Sequence, residues 1–283
     1  MRRQRGILEW LLRALVFALA ALLAILVFAF VFFPFERLAP TLAARIEAET
    51  RVATSIAQLE AGLGASGPYL EARGIQLRWP TGEQIALDSL RASPALSTGW
   101  LRGTPTLRVA LNAAFGAFNG VVSAERLDGN FQRFDFAALP PEWFGLGGSP
   151  LAGAVDAQAD LARLAEQWSG TLRIAGTDGS LALPGSPVAI PYEKLASVLR
   201  LDEVGTLQIE SLALSGPMVE AKAHGEVAAG YAGPATGAIA IEAEIARMDP
   251  ALLPALAAYG VVLDANGAGR LSVSGTPDQI VVR

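Results

Sequence analysis

Apolar residues recur at every second position over most of this chain. Leu70 and Ala72, then Ile75, Leu77 and Trp79, alternate with Glu71, Arg73, Gln76 and Arg78. Gly74 interrupts the phase there, as a bulge would. Pro80-Thr81-Gly82 turns the chain, and Ile85 and Leu87 begin a return strand. The pattern resumes at Leu107, Val109 and Leu111, and from Leu151 through Gly153, Val155, Ala157 and Ala159 to Leu161. Leu172 and Ile174 flank Arg173. Leu207 and Ile209 flank Gln208, with Leu212 and Leu214 one step out of phase. Val219, Ala221 and Ala223 alternate with Glu220, Lys222 and His224, and Ile239, Ile241, Ala243 and Ile245 with Ala240, Glu242 and Glu244. Leu271 and Val273, then Ile280 to Val282, complete the series. Strands with one apolar face and one polar face predict a mainly β protein rich in antiparallel pairing. Gly170, Gly205, Gly237 and Gly269 each open a Gly-x-apolar-x-apolar unit. Repeated units of that kind stack into one elongated sheet rather than separate domains.

Helical pattern is sparse. Pro191 to Leu201 places Leu195, Val198 and Leu199 at helical spacing, and predicts a helix. Asp249-Pro250 is an N-cap and first-turn pair that opens a helix over Ala251 to Tyr259, stopped by Gly260. A short helix is expected near Phe136 to Leu139.

The N-terminus breaks the alternation completely. Ala14 to Phe35 is a run of 22 residues without charge, Asn or Gln. At about 1.5 Å per residue it matches the roughly 30 Å hydrocarbon core of a bilayer. A transmembrane helix over 14–35 is therefore expected, with Ala14, Leu19, Leu23, Val27 and Phe32 in contact with the membrane and Trp10 and Arg13 at the interface. A cleaved signal peptide has a shorter apolar core and a small-x-small cleavage site. Here the run ends in Phe30-Val31-Phe32-Phe33-Pro34-Phe35, so a retained anchor is expected. Arg2, Arg3, Arg5 and Arg13 place the 1–13 tail in the cytoplasm. Residues 36–51 follow as a membrane-proximal helix with Leu38, Leu42 and Ile46 on one face, and 52–283 as a single β domain on the far side.

Charge divides along the same line. Of the 22 basic and 27 acidic residues, the first 35 positions hold four and one, which leaves 18 and 26 beyond the anchor. An outer region with a net charge of −8 argues against nucleic acid, whose phosphates demand a basic face. The chain has no Cys. That removes disulfides, thiolate zinc sites, Fe–S clusters and thiol nucleophiles together.

Candidate chemistry is thin. Gly62-Leu63-Gly64-Ala65-Ser66-Gly67 matches G-x-G-x-x-G, but a dinucleotide site needs a helix after the glycines, and Pro68 and a strand-like segment follow. A turn between strands is the expected reading. His224 is the single histidine, on the polar face of a strand and without a nucleophile turn to serve. Asp156 with Asp160 and Glu242 with Glu244 repeat along single strand faces, as solvated carboxylates do. A glycosidase pair or a hard-cation site is the alternative. Trp143 and Phe144, in Pro140-Pro141-Glu142-Trp143-Phe144-Gly145, form a stiff apolar stretch suited to a lipid or a partner. No catalytic residue, metal or cofactor is expected.

Several stretches together resemble a known family. They are Phe33-Pro34-Phe35-Glu36-Arg37-Leu38; Gly176 to Pro184 leading to Val188-Ala189-Ile190-Pro191-Tyr192; Leu212-Ala213-Leu214-Ser215-Gly216-Pro217-Met218; and the Gly-x-Leu-x-Val-x-Gly-Thr-Pro element from Gly269 to Pro277. In this order they are similar to the type II secretion system protein N family. The resemblance implies a bitopic protein of the Gram-negative inner membrane, its N-terminus cytoplasmic and its β domain periplasmic. It implies an accessory part in exporting folded proteins, with other inner-membrane secretion subunits as partners and no catalytic residues. It also implies an outer domain like that of the AsmA-like group, a long curved sheet whose apolar groove suits phospholipid.

Overall fold

The computed structural model describes residues 33–64, 67–95, 99–100, 103–140, 151–164, 167–182, 189–228, 237–253, 263–264, 267–276 and 279–282. A 3-10 turn, Phe35–Leu38, leads into helix α1, Ala39–Thr50. All other long elements are strands: β1 (Ala53–Gly64), β2 (Gly67–Arg78), β3 (Gln84–Pro94), β4 (Leu107–Ala113), β5 (Gly116–Val122), β6 (Arg126–Asp135), β7 (Leu151–Ala152), β8 (Ala154–Leu164), β9 (Gln167–Ala182), β10 (Ala189–Leu201), β11 (Leu207–Ser215), β12 (Val219–Val227), β13 (Ile239–Met248), β14 (Gly269–Thr276) and β15 (Gln279–Val282). They form one open antiparallel sheet in which each strand pairs with the next in sequence. The short β7 lies beside β9. The mainly β expectation holds, and the order is the simplest one available to consecutive hairpins.

Alternation alone would not keep the apolar side chains on one face across strands this long. At several places the inward phase steps by one residue. β1 turns Ile56 and Leu59 inward, and leaves Ala57 and Gln58 both exposed. Opposite them β2 turns Ala72 and Ile75 inward around Arg73 and Gly74. Gly74 has φ 61°, which a glycine adopts without strain and which re-aims the strand. The interruption expected at Gly74 is thus present, yet the register stays in step on both sides of it. β9 and β10 repeat the device at Asp178 (φ 53°) and Glu193, and β6 at Arg133 (φ 50°), where its register with β8 shifts between Phe131 and Phe134. The step between Ile209 and Leu212 is a true register shift of β11 against β12.

The inward face carries two cores. One gathers Leu59, Ala72, Ile75, Ile85 and Leu87 beneath α1. The helix enters it through Ala39, with Leu38 and Leu42 half-buried beside it; Ala43 one turn on is also buried, while Ile46 stays 39% exposed. The expected Leu38–Leu42–Ile46 stripe therefore seats the helix only in part. Two alanines let the backbone approach the sheet, and the helix lifts away before Ile46. Arg51, at φ 61°, ends α1 in a left-handed cap whose N–H donates to the Glu47 carbonyl at 2.8 Å. The second core gathers Ile190, Tyr192, Leu195, Leu214, Val219, Ile245, Met248 and Leu252.

The helix expected over Pro191 to Leu201 does not form. Those residues belong to β10, paired to β9 on one side and β11 on the other. Residues four apart share a face in a helix and in a strand alike, so Leu195 and Leu199 fit either period. Ser197, buried between them with its hydroxyl donating to the Ser211 carbonyl at 3.2 Å, reveals the period of two. Asp249 caps a 3-10 turn, Pro250–Leu252, by accepting from the Ala251 N–H at 2.8 Å. The remainder of the helix expected to Tyr259 lies outside the described residues. The short helix expected near Phe136 to Leu139 is a single 3-10 turn, Phe136–Ala138, capped by Asp135.

No helix among the described residues is long and apolar enough to cross a membrane. The expected anchor positions Ala14, Leu19, Leu23, Val27 and Phe32, together with Trp10 and Arg13, lie outside the described residues, as do Trp143 and Phe144.

Candidate functional site

The feature that distinguishes this sheet is a row of side chains crossing it from edge to edge. Following the strand partners from β1, Ala61 stands opposite Leu70, then Ala92, Val109, Gly120, Gly129, Ala159, Leu172, Leu199, Ile209, Gly225, Ile241 and Val273. Every one of these thirteen positions is apolar or glycine. A second row runs beside it from β4: Leu107, Val122, Leu127, Leu161, Gly170, Leu201, Leu207, Val227, Ile239 and Gly275. It too contains no polar side chain. The Gly-x-apolar-x-apolar units supply much of both rows, through Leu172, Leu207, Ile209, Ile239, Ile241 and Val273.

Neither core reaches the stretch of these rows on β9 to β14. Leu172, Leu199, Leu201, Leu207, Ile209, Val227, Ile239 and Ile241 are half-buried by one another. Among the described residues, α1 covers the sheet at one end and the Leu252 turn covers it near the other. The result is an apolar lane floored by a single layer of sheet. A lane of this kind can take a long apolar ligand along its axis, or the apolar face of a protein partner.

A chain of aromatic rings walls the lane at β5 and β6. Phe115 meets Phe134 with centroids 5.4 Å apart, Phe134 meets Phe131 at 6.0 Å and Phe136 at 5.0 Å, and Phe131 meets Phe118 at 4.8 Å. Phe118 packs against two glycines. A Cβ added to Gly120 or Gly129 would fall within 2.7 Å of its ring. Sequence reasoning missed this cluster. Its trace was present in the three-residue spacing of Phe115 with Phe118 and of Phe131 with Phe134, which alternation does not explain.

The opposite face is polar and holds the sequence candidates. A shallow groove of about 840 Å³ is lined by Ser211, Lys222, His224, Glu242, Glu244 and Arg270. His224 Nε2 lies 3.4 Å from Glu242, and Arg270 lies 4.0 Å from Glu244, all well exposed. Cross-strand ion pairs of this kind contribute about 0–1 kcal/mol each. Asp160 is 3.3 Å from Arg126, and Asp156 accepts from the Arg133 N–H at 2.8 Å. Each candidate carboxylate thus has a structural partner across a strand or lies on an open face. No group of three metal-ligating side chains occurs among the described residues. Gly62 and Gly64 end β1 and Gly67 begins β2, so a strand rather than a helix follows the glycine motif.

Two ionisable groups are displaced from their ordinary behaviour. A hydrogen bond to Glu71 at 2.7 Å, reinforced by the charges of Glu71 and Glu60, raises the Arg73 guanidinium pKa above its usual value. Burial raises that of the Tyr192 hydroxyl above 10.0. Both serve the sheet: Arg73 ties β2 to β1, and Tyr192 fills the second core against Gly176 and Gly179. Comparison with protein-family models, with curated proteins and with solved structures finds no match to the chain.

Proposed function

We propose that this protein is an accessory inner-membrane component of a type II protein secretion system. Its outer domain acts as a binding platform in the periplasm and performs no reaction of its own. The sheet takes the elongated, curved form of the AsmA-like group, with the N-terminal span as anchor. Support for the system comes from the ordered motifs from Phe33 to Pro277. Support for a platform comes from one observation, the apolar row that crosses the sheet from Ala61 to Val273 without a polar side chain. A sheet rarely leaves an apolar track only half-covered, as this one is from Leu172 to Ile241, unless something occupies it.

A second reading is favoured by the half-buried stretch from Leu172 to Ile241: the lane takes phospholipid acyl chains and shields them from water. About 0.8 kcal/mol per buried methylene makes even part of an acyl chain a strong ligand. Native purification from membranes separates the two readings. Co-purification of other inner-membrane secretion subunits, with no phospholipid detected by mass spectrometry, supports the secretion platform. Stoichiometric phospholipid without secretion subunits supports the carrier. A protease-protection assay that finds the β domain in the cytoplasm sinks both.

A further inference from the structure

The two edges of the sheet differ. β15 is four residues long, too short to template much pairing. β1 is twelve residues long and, among the described residues, pairs only with β2, which leaves a row of backbone N–H and C=O groups along its other side. Lysine, proline and inward-pointing charge are among the devices that protect such an edge in natural sheets. β1 has none of these: Glu60 is its single charged residue, and its side chain points outward.

The inward and outward positions of β1 form a palindrome. Thr54 and Ile56 point inward, Ala57 and Gln58 both point out, and Leu59 and Ala61 point inward again. The centre of symmetry lies between Ala57 and Gln58, where the phase steps. We propose that β1 pairs with β1 of a second copy of this chain, antiparallel, about a two-fold axis through that point. This pairing sets Thr54 opposite Ala61, Ile56 opposite Leu59, and Ser55 opposite Glu60. Each inward residue meets an inward residue, and no like charges meet. Sliding one strand by a single residue sets Ile56 opposite Gln58 and mixes the two faces. The register that centres on Glu60 keeps some apolar matches but sets Glu60 directly against its own copy, which is destabilising.

The axis is perpendicular to the sheet, so both copies keep the same face inward. α1 enters that face through Ala39 in each copy. The 3-10 turns that lead into the two helices therefore lie on one side of the joined sheet, as two anchors in one membrane require. Joined in this way, the cores beneath the two copies of α1 meet across the seam through Ile56 and Leu59.

Because the native chain has no Cys, introduced thiols report pairing directly. The full chain in detergent micelles is expected to show twice its 29.5 kDa protein mass by light scattering. Mixed Ser55→Cys and Glu60→Cys chains are expected to cross-link under mild oxidation. Either alone is not, since like positions sit about five residues apart, roughly 17 Å. Ser272→Cys, at an exposed position on β14, serves as the collision control. The double variant Ala57→Lys/Gln58→Lys brings four ammonium groups together at the axis on exposed positions. It is expected to be monomeric and to keep the native circular dichroism spectrum. A monomeric native chain overturns the proposal. So does a dimer in which the mixed thiols fail to cross-link, a control that cross-links equally, or a lysine variant that remains dimeric.

Discussion

At the scale of single residues, the sheet is held by a few positions where size is decisive. Phe118 can lie against the backbone only because Gly120 and Gly129 carry no side chain there. Gly129→Val forces the ring out of its place beside Phe131 and is expected to destabilise by about 1–3 kcal/mol in urea unfolding. Leu59 is 2% exposed at the centre of the core beneath α1. Leu59→Ala leaves a cavity there and is expected to cost about 2–5 kcal/mol by the same measurement. Tyr192 responds to pH instead. Its hydroxyl titrates higher in the folded chain than in the unfolded one, because burial disfavours the phenolate. Its contribution to stability is therefore complete below about pH 10 and is lost as pH rises from there through the folded value. Tyr192→Phe is expected to flatten the alkaline limb of a stability-against-pH curve and to leave the neutral region nearly unchanged, its hydrogen bond to the Ala152 carbonyl being long at 3.4 Å.

At the scale of elements, the phase steps make long strands compatible with a one-sided core. A strict period of two over the twelve residues of β1 would place either Ile56 or Leu59 in solvent. The left-handed residue Gly74 removes the conflict on β2. Gly74→Val introduces both an unfavourable φ and a clash, since even a Cβ there lies 2.9 Å from the Ala57 Cβ. A loss of about 1–3 kcal/mol is expected, with hydrogen exchange accelerated first in β1 and β2. Helix α1 shows the same economy. Its contact with the sheet rests on Ala39 and Ala43, and the Arg45–Glu49 pair on its outer side is exposed and contributes little.

At the scale of the whole molecule, the asymmetry between faces is the dominant property. One face carries ion pairs strand after strand, and the other carries the apolar rows. The lane is expected to tolerate charge poorly as a binding surface but well as a fold element, because its central stretch is only half-buried. Leu199→Lys/Ile209→Lys is expected to retain the native circular dichroism spectrum and to lose bound lipid or partner in native mass spectrometry. Arg200→Ala, on the opposite face of the same strand, is expected to lose neither. Equal retention of ligand by both variants would count against the lane as the site.

Much of this was legible in the chain before folding. The alternation at Leu107, Val155, Leu172, Val219 and Ile239 determined strands and their inward sides, because a pleated strand has only two faces. An antiparallel-rich single sheet was expected from the same pattern, but which strands pair is decided only by the fold. The out-of-phase step at Leu212 and the break at Gly74 were also visible, though not their geometry. Pro191 to Leu201 was misread because spacing by four cannot separate a helix from a strand, and only pairing with β9 and β11 decided it. The lane itself was not legible. No single strand contains it, and it exists only when the register brings Ala61, Leu172, Leu199 and Val273 into line across the sheet. Local sequence determines which way a side chain points. Which side chains stand next to it is a property of hydrogen-bonded register, and that is settled only when the strands meet.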